Sequence, residues 1–221
     1  MKSKSSIVKW LIIVLSLSPL IYLALIWNDL PAIVPVHFNL NFKPDKMGSK
    51  NNTWLVTCIL SGVSILVYFL LSNLGKFDPK QRSDLLSSSF IKLGVVVAVF
   101  VTLLNFMILI SIKENTGTMG RLLFPVLGLL IAFIGNYMNN LKPNYFAGLR
   151  LPWTLSSDYN WKKTHHFAGK LWFAAGLVMT AVLLIFPKAN IFFFIAIMVI
   201  VVVPVIYSYR LYKKHPVNEQ V

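Results

Sequence analysis

Apolar residues fall in long unbroken blocks along this chain, and short polar segments separate them. Six blocks, at about 8–28, 53–72, 90–111, 121–138, 168–186 and 190–209, stand out. A bilayer core takes roughly 20 helical residues to cross, within a range of about 17–25, so each block is long enough. None of the seven acidic residues lies inside a block. The basic residues Lys9, Lys92, Arg121 and Lys170 fall within the first three positions of theirs, where a long stem lies along apolar surface and the charge reaches the interface. The pattern predicts an all-α fold, a polytopic membrane bundle of six transmembrane helices. It divides into an N-terminal three-span region at 1–112 and a second three-span region at 118–210.

Composition agrees and then orients the chain. Hydrophobic residues make up 57% and charged residues 13%, against about 25% charged in an average soluble domain. The net charge of +14 first suggests a nucleic-acid surface. With the N-terminus placed in the cytoplasm, however, fifteen of the 21 Lys and Arg fall on the inside and six on the outside. That excess is spread over four inside segments, so it reads as the positive-inside signal, with both termini cytoplasmic and no direct nucleic-acid binding. The first block follows Lys2, Lys4 and Lys9 and meets no small-x-small cleavage motif before Asn28 and Asp29. An uncleaved first helix is expected. The only cysteine, Cys58, lies within the second block and excludes an intramolecular disulfide.

Two loops are longer than a connection requires. The outside loop, 29–52, contains Pro31, Pro35 and Pro44, which prevent a regular helix. Val34, Val36, Phe38, Leu40 and Phe42 share one parity, and His37, Asn39 and Asn41 the other. The alternation predicts a short extended segment with one apolar face, and Pro44 to Gly48 reads as a turn. The loop is either a cap over the helix ends or a recognition surface with His37 and Asn39 exposed. The inside loop, 139–167, ends in a stretch where Trp161, His165, Ala168 and Trp172 share one helical face and Lys162, Lys163, His166 and Lys170 another. Ser156 is placed to cap that helix. An interfacial amphipathic helix before the fifth span is expected, with membrane lipid as its partner.

The stretch from Met119 to Thr180 also carries a motif. Gly135-Asn136-Tyr137-Met138, Lys142-Pro143-Asn144-Tyr145-Phe146-Ala147-Gly148-Leu149-Arg150, Pro152-Trp153-Thr154-Leu155, Trp161, Thr164-His165 and Ala168-Gly169-Lys170-Leu171-Trp172 closely resemble the signature of the SdpI family of bacterial membrane proteins. Leu30-Pro31, His37-Phe38-Asn39, Pro44-Asp45 and Ser49-Lys50 resemble the small uncharacterised domain that often precedes it. The chain departs from the family at Leu151, where threonine is commoner, and lacks an acidic pair before Trp161.

The resemblance implies a multi-pass protein of the bacterial cytoplasmic membrane that gives immunity to a secreted peptide toxin. It also implies a second role, holding an ArsR-type repressor at the membrane. His37, Phe38, Asn39, Asp45 and Lys50 would then form the outside recognition surface. Asn136, Pro143, Asn144, Gly148, Arg150, Pro152, Trp153, Thr154, Trp161, Thr164, His165 and Gly169 would form the cytoplasmic signature and docking surface.

Two other classes fit less well. Ion-coupled transporters commonly place ionisable groups at midplane, and here the strongly polar groups in the blocks are Asn105 and Asn136. A membrane enzyme would need a catalytic constellation. The four histidines are scattered, and adjacent His165 and His166 point about 100° apart on a helix. No nucleophile elbow, phosphate loop or paired carboxylate appears, so no catalytic residue, metal or cofactor is expected.

Overall fold

The computed structural model describes residues 2–39, 44–74, 83–114, 118–139, 141–144 and 146–215. It is mostly helical: α1 (Lys2–Ile26), α2 (Asn51–Leu74), α3 (Ser83–Glu114), α4 (Thr118–Met138), the short α5 (Pro152–Leu155), α6 (Asp158–Ile185) and α7 (Asn190–Lys214). All but α5 are long and apolar enough to cross a membrane. The six expected spans are therefore present as helices, the arrangement of a multi-pass membrane protein. Its helices turn apolar side chains such as Leu11, Leu25, Leu66 and Ile195 outward, the arrangement a lipid solvent favours.

Two strands interrupt the helices. β1 (Ile33–Phe38) pairs antiparallel with β2 (Pro44–Ser49). The expected extended segment is thus a strand, but its apolar face is only partly covered: Val34 is buried and Phe38 half-buried, Val36 is exposed, and Leu40, Asn41 and Phe42 lie outside the described residues. Pro44 to Gly48 is strand and not a turn. Gly48 pairs with Val34, and Pro44 stands at the first strand position, where its missing N–H is tolerated.

The chain packs as two compact units, residues 1–71 with 94–123, and residues 72–93 with 124–221. In the first unit, Leu23, Ile26, Leu30, Val34, Leu109 and Ile112 form a buried cluster, so the hairpin root and the ends of α1 and α3 share one core. Ile12, Tyr68 and Ala98 form another. Between the helices runs a stripe of buried hydroxyls on α2. Thr53, Thr57, Ser61 and Ser64 recur at helical spacing and face Asn105 and Thr102 of α3 and Ser16 of α1.

The second unit centres on Met179, Leu183, Phe193 and Ile200. Here α4 and α6 meet along glycines. A Cβ on Gly135 would lie 2.5 Å from the Phe173 nitrogen, and one on Gly176 2.5 Å from the Ala132 nitrogen. Small residues permit that backbone approach, which replaces the missing hydrophobic drive between helices in lipid with dispersion contacts.

Proline frees a carbonyl one turn earlier in a helix because it has no N–H to donate. Two of these carbonyls receive side-chain donors. Within α1, Pro19 leaves the Leu15 oxygen, and the Ser18 hydroxyl donates to it at 2.6 Å. Within α7, Pro204 leaves the Ile200 oxygen, and the Trp172 indole donates to it at 2.7 Å. The second bond ties α6 to α7.

Candidate functional site

The signature segment folds by satisfying its own polar groups. Asn144 is 3% exposed. Its side-chain oxygen accepts from the Phe146 and Ala147 nitrogens, both at 2.8 Å, and its amide donates to the Lys142 and Ala147 oxygens at 2.9 and 3.2 Å. One asparagine thereby ties together Lys142, Phe146 and Ala147, as Asx side chains do in turns. Gly148 follows with φ +114°, a left-handed backbone open to glycine at little cost. A Cβ there would also run into the His165 ring.

That ring is the anchor. The Leu149 nitrogen donates to His165 Nε2 at 2.9 Å, and His165 Nδ1 lies 2.8 Å from the Trp161 oxygen. An Nε2 that accepts must carry a lone pair, so Nδ1 carries the proton and the ring is neutral. The Trp161 ring stacks on it with centroids 4.0 Å apart, and the Trp161 indole donates to the Leu141 oxygen at 2.8 Å. Thr154 closes the segment. Its hydroxyl donates to the Leu149 oxygen at 2.7 Å and accepts from the Leu151 nitrogen at 2.9 Å.

The helix after it starts one residue later than expected. Ser157, not Ser156, is the N-cap of α6 and accepts from the Asn160 nitrogen at 3.1 Å. Asn160 is the hub. Its amide donates to the Ser208 oxygen at 3.0 Å, and its side-chain oxygen accepts from the hydroxyls of Thr164 at 2.9 Å and Ser208 at 3.1 Å. The Trp153 indole donates to the Ser208 hydroxyl at 2.7 Å and packs against Tyr209 and Tyr212.

The structure therefore brings Asn144, Gly148, Thr154, Trp161, Thr164 and His165 into one scaffold, joined by Asn160 and Ser208, which the motif reading did not single out. Asn160 follows Tyr159, and Ser208 lies between Tyr207 and Tyr209 at the end of the last apolar block; neither carries a motif. Gly169 belongs to the α4–α6 seam, within 2.9 Å of Asn139 were it to carry a Cβ. Asn136 faces outward on α4, Pro143 is half-buried and Trp153 partly so, and Arg150 and Pro152 are exposed. Trp161 and His165, read as one face of an interfacial helix, are 0% and 1% exposed and face protein. Exposed on the same unit are Lys162, Lys163, His166 and Lys170, with the Lys163 ammonium over the Tyr159 ring and that of Lys213 over Tyr209.

On the hairpin, His37 and Asp45 come together at 2.6 Å in the open. Lys50 is drawn away from them. Its ammonium sits 4.5 Å from the Trp27 ring centre, a cation–π contact that leaves little freedom. Phe38 lines a pocket under the hairpin and Asn39 follows β1. Lys113 pairs with Asp29 at 3.2 Å nearby.

Two family models match this chain. Residues 140–208 match the SdpI/YfhL protein family, and residues 14–60 match a domain of unknown function, DUF1648. The chain is also 27% identical over 213 residues to the immunity protein SdpI of Bacillus subtilis (strain 168), covering 96% of this chain and 97% of that protein. No solved structure matches it.

Proposed function

From the match of residues 140–208 to the SdpI/YfhL protein family and the similarity of the whole chain to an immunity protein, we propose that it is an immunity protein of the bacterial cytoplasmic membrane, protecting its cell from a secreted peptide toxin. The observation that supports this reading most is the end-to-end similarity to a protein named for immunity. The charge asymmetry supports an orientation with both termini and the 139–157 segment in the cytoplasm and the hairpin outside. Expression in a toxin-sensitive host is the direct test. Cells carrying the gene should survive culture fluid from a toxin-producing strain that kills cells with an empty vector. Equal killing by the toxins of the producing strain and its relatives removes the immunity reading. Reporter fusions after Lys46 and after Trp161 should report opposite sides of the membrane, and the same side for both removes the orientation.

For the second role, holding an ArsR-type repressor, exposure supports a narrower set of residues. The buried signature side chains are spent inside the scaffold, so docking falls to Arg150, Lys162, Lys163 and Lys170. A tenfold change in docking on toxin binding requires about 1.4 kcal/mol of differential affinity. Reversing Arg150, Lys162 and Lys163 to glutamate should release a fluorescently tagged repressor from the membrane while the helices still insert. A repressor that stays at the membrane moves the docking site elsewhere.

A further inference from the structure

One face of α6 changes character along its length. Tyr159, Lys163, His166, Lys170, Phe173 and Leu177 follow one another at spacings of three or four, so they form a single stripe, and all six are exposed. The stripe is aromatic and basic as far as Lys170 and apolar beyond it. No carboxylate among the described residues pairs with Lys163, His166 or Lys170; the pairs His37–Asp45 and Lys113–Asp29 belong to the first unit. The depth of Lys170 is marked by α7. On either side of it, the Phe167 ring stacks on Tyr207 with centroids 4.5 Å apart, and the Trp172 indole donates to the Ile200 oxygen at 2.7 Å. Lys170 is therefore level with residues 200–207, a stretch in which α7 exposes Val201, Val202 and Val203. Counting agrees. Exposed Ile185 ends α6, and about 20 residues cross the hydrocarbon, which puts the other boundary near His166 and Lys170 about 6 Å inside it. A tilted helix only deepens that position.

A charge at that depth is costly without a counter-ion. Side chains leave a helix toward its N-terminus, so the Lys170 stem runs back toward His166 and Lys163 and the headgroup level. We propose that the stripe binds one anionic phospholipid, from the leaflet at the N-terminal end of α6. Its phosphate sits among the ammonium groups of Lys163 and Lys170 and an N–H of the His166 ring, and an acyl chain runs along Phe173 and Leu177. The headgroup supplies the negative charge that no side chain provides. The order along the stripe, basic and then apolar, matches the order within the lipid, phosphate and then chain. A zwitterionic lipid suits the apolar half equally but brings a cation of its own to the basic half. In the orientation proposed above this is the cytoplasmic leaflet, whose anionic lipids attract basic segments. A lipid seated here covers Lys163 and Lys170, and a repressor using them would have to displace it.

The test is native mass spectrometry of the full chain in a neutral detergent, titrated with phosphatidylglycerol and with phosphatidylcholine of the same acyl chains. The first phosphatidylglycerol should bind about tenfold more tightly than phosphatidylcholine, or better, since each basic residue near an anionic lipid is worth about fivefold. Lys170→Gln should weaken phosphatidylglycerol about fivefold while phosphatidylcholine stays within about twofold. Lys170→Arg should restore the preference. Lys214→Gln removes the same charge from the exposed end of α7, off the stripe, and should leave both lipids within about twofold. Equal losses in Lys170→Gln and Lys214→Gln show attraction to overall charge and overturn the site, and so does a parent chain with no preference between the two lipids. Glycerol 1-phosphate in millimolar excess should not displace the bound lipid. Displacement would show a site for a soluble phosphate and overturn the lipid as its occupant.

Discussion

Asn105 in α3 and Asn160 in α6 are both asparagines at most 2% exposed, one in each unit, and they are bonded in opposite ways. Asn160 uses its whole side chain, donating to the Ser208 oxygen and accepting from the hydroxyls of Thr164 and Ser208. Asn105 donates to the Thr57 oxygen and the Ser61 hydroxyl at 3.2 and 3.3 Å, and its own oxygen accepts nothing among the described residues. The same contrast runs through their surroundings. Around Asn160 the buried indoles, imidazole and hydroxyls of the signature close on one another. Around Asn105 the stripe of hydroxyls on α2 is bonded at its Ser64 end, to Ser16, Thr102 and the Ala98 oxygen, and open at its Thr53 end. A closed polar network fixes one geometry, because breaking any bond strands a partner in low dielectric. An open one leaves oxygens unmet and constrains its neighbours less.

Substitutions can break this comparison. The largest effect is expected at the glycine seam of the second unit. Gly176→Val places a branched side chain on the backbone of α4 and should cost about 3 kcal/mol or more as overpacking, read as an early transition in thermal unfolding followed by tryptophan fluorescence in detergent. Asn160→Leu removes the hub and leaves the Ser208 groups unmet. A loss of about 2 kcal/mol is expected, and a change within experimental error would show that the network is not closed. Trp172→Phe keeps the ring but withdraws the donor from the proline-freed Ile200 oxygen, with an expected loss of about 1 kcal/mol. Asn105→Leu is the sharpest case. Bonds between membrane helices average about 0.6 kcal/mol, and the leucine also removes an unmet oxygen, so stability should change by less than about 0.5 kcal/mol in either direction. A loss as large as that for Asn160→Leu would erase the distinction between the two units.

The helices were legible in the sequence because lipid forces the issue: a span must be long, apolar and free of buried charge, and each of those is a property of composition. The strand at Ile33–Phe38 was legible for a similar reason, since alternation survives in a short segment. Roles within the signature were not. Asn144, Trp161 and His165 have the side chains of a binding surface, and only the fold shows that their donors and acceptors are taken by the chain itself. Ser208 is the clearest example. It stands 48 positions from Asn160, and nothing local to either residue marks the pair. The hydroxyls of Thr53 and Thr57 carry no motif in the sequence either, and that both lack a partner among the described residues depends on how α2 packs.

The long reach of the Asn160–Ser208 bonds also sets an order of events as the chain is made. Synthesis runs from the N-terminus and successive regions fold as they emerge. Leu141 and Leu149 leave the ribosome before Trp161 and His165, whose rings they bond, and Asn160 long before Ser208. The bonds among Leu141, Asn144, Leu149, Thr154, Trp161 and His165 can therefore close once the start of α6 is made, while the Asn160 amide and the Trp153 indole wait for Ser208. A chain truncated before Ser208 would keep those inner bonds and lack the ones that tie the segment to α7, so that helix fastens a motif that precedes it in sequence.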